Sequence, residues 1–512
     1  MKLGNSERFD AVIIGYGPVG ATMAGLLARR GWQVAIIDRL PDIFPLPRAV
    51  RLDGETMRVF DELGIGDQVD ADCQQARGAE FVDAKGKRIQ GIDLPEDYVD
   101  PSGWVHSNMF YQPVLERTLR DDIEARANVT VLVSHEAGAP EQTDDSVTVD
   151  VSPVDGGETF TVEADYLIAA DGAASPVRKS LGFAFQSLGY DCDWVVVDVD
   201  LKREVPSLAV ITQQICDPKR RATYVPTVGL KRRWEFQLLV GEDKVEMAKE
   251  DKVWEMLAPW IGPDDAEIER SAGYQFHAAH ADHWRDRRIF LAGDAAHQTP
   301  PFLGEGMVAG VRDAANLAWK LDMVKRGLAP EALLDTYQRE RGPHAHDLVD
   351  HAVETGKLID ACADAQVTGN WPASYDAMYG GSRGLPHLHG GVLALSEEDP
   401  TDGLTGYQAP QAMVKIDGAD PALLDRHVTG SFFIVSTEDL SSELSGEQKE
   451  FLDRIGAKRF VLGEGTCVTP QMDLHLAIHK ALIVRPDRYI FGLANDTCSL
   501  SGQVNKLMSH FN

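Results

Sequence analysis

Ala11-Val-Ile-Ile14 runs directly into Gly15-Tyr-Gly17-Pro-Val-Gly20, and the apolar stretch Ala21–Arg30 follows. A short, wholly apolar run of this kind makes a strand buried on both faces, as in a parallel sheet. The stretch after Gly20 reads as a helix that Gly31 stops, and Val34-Ala-Ile-Ile37 reads as a second strand. The unit is strand, glycine turn, helix, strand. In such a unit the first glycine permits the tight turn. The second lets a pyrophosphate approach the backbone, and the third lets helix and strand pack closely. Free N–H groups and the helix dipole favour an anion at that helix N-terminus. Asp38 ends the second strand about twenty residues on, where a carboxylate can accept the hydroxyls of an adenosine ribose. Gly15, Gly17, Pro18, Val19, Gly20, Asp38 and the adjoining Arg39 are therefore expected to hold a dinucleotide.

The rest of the composition narrows the class. A chain of 512 residues exceeds one hydrophobic core, so two or three domains are expected. No apolar run approaches the ~18 residues of a membrane span, and Met1–Phe9 is polar with no apolar signal core. A cytoplasmic protein is expected. Fifty Lys and Arg against 80 Asp and Glu leave a formal charge of −30, which argues against nucleic acid or an anionic membrane as partner. Anionic ligands then need local basic clusters. Lys219-Arg-Arg221, Lys231-Arg-Arg233 and Arg285 with Arg287-Arg288 are the candidates to steer a nicotinamide phosphate or an aryl carboxylate. Cys73, Cys192, Cys216, Cys362, Cys467 and Cys498 form no C-x-x-C pair, so free thiols are expected rather than zinc or dithiol chemistry. His277 and His280 lack a partner cluster, and no metal is expected.

Beyond residue 75 the pattern alternates. Val147–Val151, Phe160–Val162, Val195–Val199, Ala209–Ile215 and Trp234–Val240 read as strands of a largely antiparallel sheet. Arg287–Asp294 reads as a buried strand, and Gly306–Lys325 as a long helix. Leu333–His346 reads as another helix, disturbed late by Gly342-Pro343. Residues 380–410 read as a linker, and the last hundred or so as a small α/β domain.

Two further segments decide which dinucleotide is bound. Ala164-Asp-Tyr-Leu-Ile-Ala-Ala-Asp171-Gly172-Ala-Ala-Ser-Pro-Val-Arg178 carries an Asp-Gly after an apolar strand, and Arg288-Ile-Phe-Leu-Ala-Gly293-Asp294-Ala-Ala-His297 carries a Gly-Asp in the same setting. Together with the glycine turn they resemble the single-component FAD-dependent aromatic hydroxylases, the para-hydroxybenzoate and phenol hydroxylase group. The likeness covers most of residues 8–355 and is greatest to 3-(3-hydroxyphenyl)propionate hydroxylases. It implies an α/β fold: a Rossmann-like FAD-binding domain (1–75, 100–180 and 281–380) with an inserted, mostly antiparallel substrate-domain sheet (76–99 and 181–280). Residues 410–512 resemble the thioredoxin-like C-terminal domain of larger phenol hydroxylases, through Leu482-Ile-Val-Arg-Pro-Asp487. That domain is expected to stabilise the catalytic part or to form a homodimer.

Carried over residue by residue, the resemblance places Gly15, Gly17 and Gly20 at the FAD pyrophosphate and Asp38 at the ribose. Pro47-Arg48-Ala49 falls near the pyrophosphate and the nicotinamide path, and Gln112 along the ribityl chain. Asp171-Gly172 serves both cofactors, and Gly293-Asp294 puts a carboxylate on a ribityl hydroxyl. Pro300-Pro301-Phe-Leu-Gly304-Glu305-Gly306-Met307 lies against the flavin ring. There the chain departs from the family, with Glu305 for a usual Gln and Val308-Ala309 for an Asn-Ser or Asn-Thr pair. A carboxylate at that edge disfavours anionic reduced flavin unless it points to solvent. Arg312–Leu321 restores the pattern.

The implied reaction transfers hydride from NADH or NADPH to FAD and forms a flavin C4a-hydroperoxide with O2. The distal oxygen then hydroxylates a small phenolic substrate, ortho to its hydroxyl. Pro301, Arg48 and Tyr224 are the candidates at the reacting end. Gln213, Tyr224, Trp234, Phe236 and Pro301 are the candidate substrate wall. The rivals are a hydroxylase of a larger polycyclic or polyketide aromatic, an FAD oxidoreductase without oxygen insertion, and a non-catalytic flavin-binding sensor.

Overall fold

The computed structural model describes residues 8–96, 98, 100–372, 387–395, 403–416, 418–462 and 470–512. Strand β1 (Arg8–Ile14) turns into helix α1 (Pro18–Arg29), and β2 (Val34–Asp38) returns beside β1 in parallel. Helix α2 (Gly54–Leu63) follows, then the hairpin β3 (Gly78–Val82) and β4 (Arg88–Asp93). Helix α3 (Gln112–Glu124), β5 (Val129–Val133), β6 (Val147–Pro153) and β7 (Phe160–Ala169) come next. The chain then makes β8 (Phe185–Leu201), β9 (Thr212–Ile215), β10 (Ala222–Pro226), β11 (Lys231–Gln237), α4 (Glu250–Leu257) and β12 (Ala266–Ala281). It returns through β13 (Ile289–Leu291), α5 (Gly306–Lys325) and α6 (Thr336–Thr368). Last come β14 (Phe433–Ser436), α7 (Gly446–Arg454), β15 (Lys458–Val461), α8 (Pro470–Ile478), β16 (Ala481–Val484), β17 (Ile490–Ala494) and α9 (Leu500–Ser509).

Among the described residues these strands form three large sheets, beside two small ones of three and two short strands. In the first, β5, β2, β1, β7 and β13 run parallel, and β6 pairs antiparallel with the start of β7. Ile13, Ile36, Ile168 and Phe290 are wholly buried in it, as strands covered on both faces must be. The second sheet is the insertion, ordered β12, β8, β11, β10, β9, β3, β4; all its pairings are antiparallel except β9 with β3. The third is ordered β15, β14, β16, β17, with β14 and β15 parallel and the rest antiparallel. Its β-α-β, helix, β-β-α order is thioredoxin-like. Helix α6 continues through Pro343 for 33 residues, where the sequence suggested disturbance. A proline costs one ladder hydrogen bond, and the buried face carrying Leu348, Val349, Ala352 and Ile359 holds the helix beyond it. Cys467 and much of the suggested linker lie outside the described residues.

The C-terminal sheet docks on the FAD-binding half through buried ions. Arg58 of α2 forks onto Asp425 at 2.7 and 3.0 Å, and Arg488 approaches the same carboxylate at 3.1 Å. Arg485 donates to Glu340 of α6 at 2.6 Å, where Lys320 of α5 also donates at 2.8 Å. Burial by itself raises a carboxyl's pKa. Here Arg485 and Lys320 overcome it and hold Glu340 at about 2, and Arg58 and Arg488 do the same for Asp425. Both carboxyls sit below their ordinary 4.5 and 3.8, so their stabilisation is complete above that range and is lost as pH falls towards 2. Each contributes on the order of 2–3 kcal/mol. The thermal unfolding midpoint is therefore expected to drop steeply as pH falls from 4.5 to about 2. Glu340→Gln should lower the midpoint at pH 7 and flatten that slope; an unchanged slope would refute the assignment.

Candidate functional site

Register brings the three motifs together. Ile14 of β1 is paired with Ala169 of β7, and Ala169 with Leu291 of β13. Backbone bonds extend the stitching past the strand ends, from Ala170 N–H to the Ile14 carbonyl and from Ala292 N–H to the Ala169 carbonyl. The glycine turn, Asp171-Gly172 and Gly293-Asp294 thus leave three neighbouring strands at one carboxyl edge, where open α/β sheets bind ligands.

The turn is shaped for close approach. Gly15 has φ +106°, and a Cβ there would lie 2.2 Å from the Ala170 carbonyl oxygen. A Cβ on Gly20 would lie 1.9 Å from the Gly15 carbonyl oxygen. Gly17 differs: the space its Cβ would take is empty. Helix α1 starts there with Pro18 in its first turn and no capping side chain, so its leading N–H groups remain available to an anion. Asp38 accepts from Tyr16 N–H at 2.7 Å and Leu40 N–H at 2.8 Å, which fixes its carboxylate beside the turn with lone pairs to spare. Arg39 is exposed.

Asp171 accepts from Val177 N–H through one oxygen, while its other oxygen is buried without a partner. Burial pushes its carboxyl up. Gly172, next to it, has open space on its Cβ side. Val19 packs on Gly293, and a Cβ on Gly310 of α5 would strike Val19 at 2.4 Å. Asp313, fully buried, accepts from Gly293 N–H at 2.9 Å, His297 Nε2 at 2.7 Å and Arg341 Nε at 2.9 Å. Sequence reasoning placed Asp313 only in a family pattern; its spacing gave no hint of this role. Asp294 is open to solvent, yet the surrounding protein pushes its carboxyl up, with His297 and Arg48 pulling the other way. A carboxylate both accessible and crowded by protein lines a cleft.

Loop 300–307 leads into α5. Pro301 opens a short 3-10 turn and Phe302 is buried against Trp194 and Tyr190. Gly304 has φ +67° and lies against the stem of Arg51. Helix α5 begins at Gly306-Met307 with no capping side chain. Glu305 does not point to solvent. Its oxygens accept from Arg51 at 2.5 Å and Arg312 at 3.0 Å, and Arg312 also holds Asp53 and Glu55. Two guanidiniums thus balance the charge that the sequence left exposed at the ring edge. Tyr489 of the C-terminal domain donates to Glu55 at 2.6 Å.

Gln112 is a clip. Its oxygen accepts from the N–H groups of Arg48 and Ala49 at 2.9 and 2.7 Å, and its amide donates to Glu116. Arg233 holds the same segment from the inserted sheet, donating to the Arg48 and Pro47 carbonyls at 2.8 and 2.9 Å while forking onto Asp198. The Arg48 side chain itself is exposed, 5.3 Å above the Phe44 ring.

The suggested substrate wall needs correction. Gln213, Tyr224 and Trp234 are cross-strand partners, so they share one face of the inserted sheet. Tyr224, Trp234 and Phe236 pack there with Val253, Leu257 and Ile261, under α4. The Tyr224 hydroxyl donates to the Ala209 carbonyl, and Gln213 donates to Glu80. Tyr224 is thus core and not a reacting group. Successive strand residues alternate faces, so the face turned to the cofactor half carries the neighbours Gln214, Thr223, Val225 and Glu235. Gln214 reaches the Phe302 carbonyl at 3.5 Å, and Val225 packs with Val50 and Met109. Of the five wall candidates, only Pro301 lies on the loop beside this face.

The basic runs are largely occupied too. Arg220 pairs with Glu242, Arg221 with Asp360 and Asp364, Lys231 with Asp200 and Glu269, and Arg285 with Glu331 and Asp335. Arg288 donates to the Asp144 and Asp165 carbonyls. These partners leave little of the proposed steering role to them. His277 sits on Asp191 at 2.5 Å, and His280 on the Ala281 carbonyl.

The profile of the FAD binding domain family matches residues 8–352, more than half of the chain. The chain belongs to that family. It is 35% identical to a probable NADH-specific resorcinol 4-hydroxylase of Rhodococcus jostii, over 98% of this chain and 95% of the relative. It is 36% identical to a 3-(3-hydroxy-phenyl)propionate/3-hydroxycinnamic acid hydroxylase of Burkholderia cenocepacia, over 98% and 96%. Among solved structures, the flavin-dependent monooxygenase PieE, in complex with FAD and substrate, superposes with a TM-score of 0.80 at 22% identity, over 99% of this chain and all of that one. Aklavinone-11 hydroxylase with FAD and aklavinone superposes at 0.82 and 23%, with the same coverage. FAD is the cofactor, and the empty space at Gly17, the unpartnered Asp171 oxygen and two uncapped helix starts suit it.

Gly17 and Gly20 separate folding from cofactor binding. Gly17→Ala should fold with an unchanged melting temperature as apoprotein but bind FAD at least tenfold more weakly. Gly20→Ala should destabilise the apoprotein itself, because its methyl meets backbone. Fluorescence titration with FAD and thermal unfolding of both variants check this; equal effects of the two would refute it.

Proposed function

We propose that this chain is an FAD-dependent monooxygenase that uses NADH and dioxygen to hydroxylate the ring of a small phenol. The observation that carries the reading is the near-full-length likeness to two phenolic-ring hydroxylases, joined to a cleft where three loops from adjacent parallel strands meet. Bound FAD supplies the redox chemistry, passing two electrons from the reduced nicotinamide to dioxygen so that one oxygen atom enters the ring and the other leaves as water.

The chain's own residues do the rest. Gly15, Gly17 and Gly20 with the start of α1 take the pyrophosphate, and Asp38 takes the ribose. Asp171 and Asp294 offer carboxylates to the polar chain between ribose and ring. The uncapped start of α5 would offer its N–H groups to an electron-rich edge of the flavin ring. Gln112 and Arg233 hold the Pro47–Ala49 segment, which keeps the Arg48 charge near enough to act on Asp294. Pro301 and the Gln214–Thr223–Glu235 row enclose the substrate and keep water from the reacting atoms. A small phenol is favoured over a polycyclic substrate because the relatives above 30% identity act, by name, on single-ring phenols.

Purified protein is expected to be yellow, and NADH oxidation should be stimulated by single-ring phenols. With 18O-labelled dioxygen, one labelled atom should appear in a catechol- or hydroquinone-type product. NADH consumption giving only hydrogen peroxide across the whole phenol panel would refute the reading and favour an oxidoreductase without oxygen insertion.

A further inference from the structure

Glu235 is 5% exposed and lies in the middle of the inserted sheet. It is cross-strand partner of Thr223 on one side and Val196 on the other, on the face turned to the cofactor half. Both loops that frame the cleft are touched by its immediate neighbours on that face. Arg233, two residues back, binds the Pro47 and Arg48 carbonyls, and Gln214, beyond Thr223, binds the Phe302 carbonyl. Glu235 therefore stands between the Arg48 segment and the Pro301 loop.

Its carboxylate has no hydrogen-bond partner among the described residues. Thr223 is committed to Gln214 at 2.7 Å. Arg233 commits all but one N–H to Asp198 and the two carbonyls, and its closest approach to Glu235 is 4.0 Å. Arg270 of β12 donates to Pro47 and Tyr274 and reaches Asp198 at 3.5 Å. Burial raises the Glu235 carboxyl, Asp198 adds to this, and Arg233 and Arg270 oppose it. With the residue 5% exposed and no donor on its carboxyl among the described residues, the acceptor oxygens remain available to a donor on the cofactor-facing side of the sheet.

We propose that Glu235 is the acceptor for the substrate's phenolic O–H. This rests on the phenol hydroxylase reading. A hydrogen bond from the hydroxyl to a carboxylate pushes electron density into the ring, at the carbons ortho and para to it. As one of those carbons gains oxygen, the phenolic O–H bond breaks and its proton passes to a Glu235 oxygen, while the O–H electron pair moves into the ring. The oxidant is dioxygen, reduced by the two electrons of NADH, with its second atom leaving as water. When the ring regains aromaticity, the proton lost from the oxygenated carbon restores the phenolic O–H, and the proton held by Glu235 passes to the oxygen atom that leaves as water, which returns the carboxylate. The site then selects uncharged rings with a free hydroxyl, and a ring carboxylate at that position is repelled.

The test compares phenol with anisole, and resorcinol with 1,3-dimethoxybenzene, on FAD-loaded wild type, Glu235→Gln and Glu235→Leu. Binding is read from the flavin absorption change on titration, and product per NADH is measured for the hydroxy compounds. Wild type should bind each hydroxy compound at least tenfold more tightly than its methyl ether. That ratio should fall about tenfold in Glu235→Leu and less in Glu235→Gln, where an amide oxygen still accepts. The steric part of the ether's penalty is common to all three proteins. Both variants should form less product per NADH. An unchanged ratio in either FAD-containing variant, or a wild-type ratio below twofold, overturns the proposal. If Glu235 served only as counter-charge to Arg233 and Arg270, stability and FAD content would drop while the ratio stayed. A wild type that binds phenols selectively but hydroxylates none sinks the hydroxylase reading instead, through the product measurement alone.

Discussion

Everything at the cofactor end depends on one register: Ile14, Ala169 and Leu291 side by side on three parallel strands. A slip of a single residue would turn every side chain of a strand to the other face and carry its loop about 3.3 Å along the edge. The register is enforced by close backbone contact. Gly15 lies against Ala170, Gly20 against Gly15, and Gly310 against Val19 and Gly293, each without room for a methyl group. Asp313 completes the arrangement by holding Gly293 and His297 through one oxygen and Arg341 through the other. Its carboxyl is held below the usual range because His297 and Arg341 outweigh burial. It therefore stays ionised, and the Gly293-Asp294 turn is fixed by a charge-assisted bond in a dry interior.

The cofactor half was legible in the sequence because its constraints are local. A glycine needed for close approach, a strand that ends on Asp38 and an Asp-Gly or Gly-Asp after an apolar run all show within a few residues. The substrate half was not, because its information is a parity. Gln213, Tyr224, Trp234 and Phe236 were chosen for their chemistry, and all lie on the face packed under α4. Their neighbours Gln214, Thr223 and Glu235 lie on the other. Both faces of this sheet are covered, so both carry aromatic and polar residues, and alternation alone does not say which face meets the cofactor. Arg233 was hidden for a related reason. In a run of three basic residues it looks like solvated charge, yet strand geometry turns it inward onto Asp198 while Lys231 pairs with Asp200 and Glu269 nearer the surface. Glu305 was misleading because the residues that balance it, Arg51 and Arg312, are remote from it in one case and two helix turns away in the other.

The acidity of the chain is distributed unevenly. One group of its buried charges lies where the C-terminal domain meets α2, α5 and α6. Glu340 takes Lys320 and Arg485, and Asp425 takes Arg58 and Arg488. Each such pair is costly to desolvate and severe to break, so it works less as glue than as a key that admits one docked arrangement. Lys320 shows the tension: burial pulls it down to about 8 although Glu340 is in contact. Arg485 and Asp487 belong to the segment that first suggested a thioredoxin-like domain, and their side chains meet α5 and α6 at Asn316 and Glu340. The domain lacks a C-x-x-C pair, and its ionic face is turned to the helix whose start lies beside Glu305.

The inserted sheet and the cofactor half must keep a fixed distance for a ring to meet the oxygen delivered to it. Two side chains set that distance from opposite sides of one short segment. Gln112 grips Arg48 and Ala49 by their N–H groups, and Arg233 grips Pro47 and Arg48 by their carbonyls. A segment held through both its donors and its acceptors cannot shift towards either layer without losing bonds to the other. Each bond contributes only about 1 kcal/mol net, but leaving its buried partner unsatisfied costs about 1–3 kcal/mol. The segment therefore ties the inserted sheet to the cofactor half, with the Arg48 side chain exposed on it. In this arrangement the polar row Gln214–Thr223–Glu235 stands at a set height over the cleft, which is what oriented transfer to a single ring carbon requires.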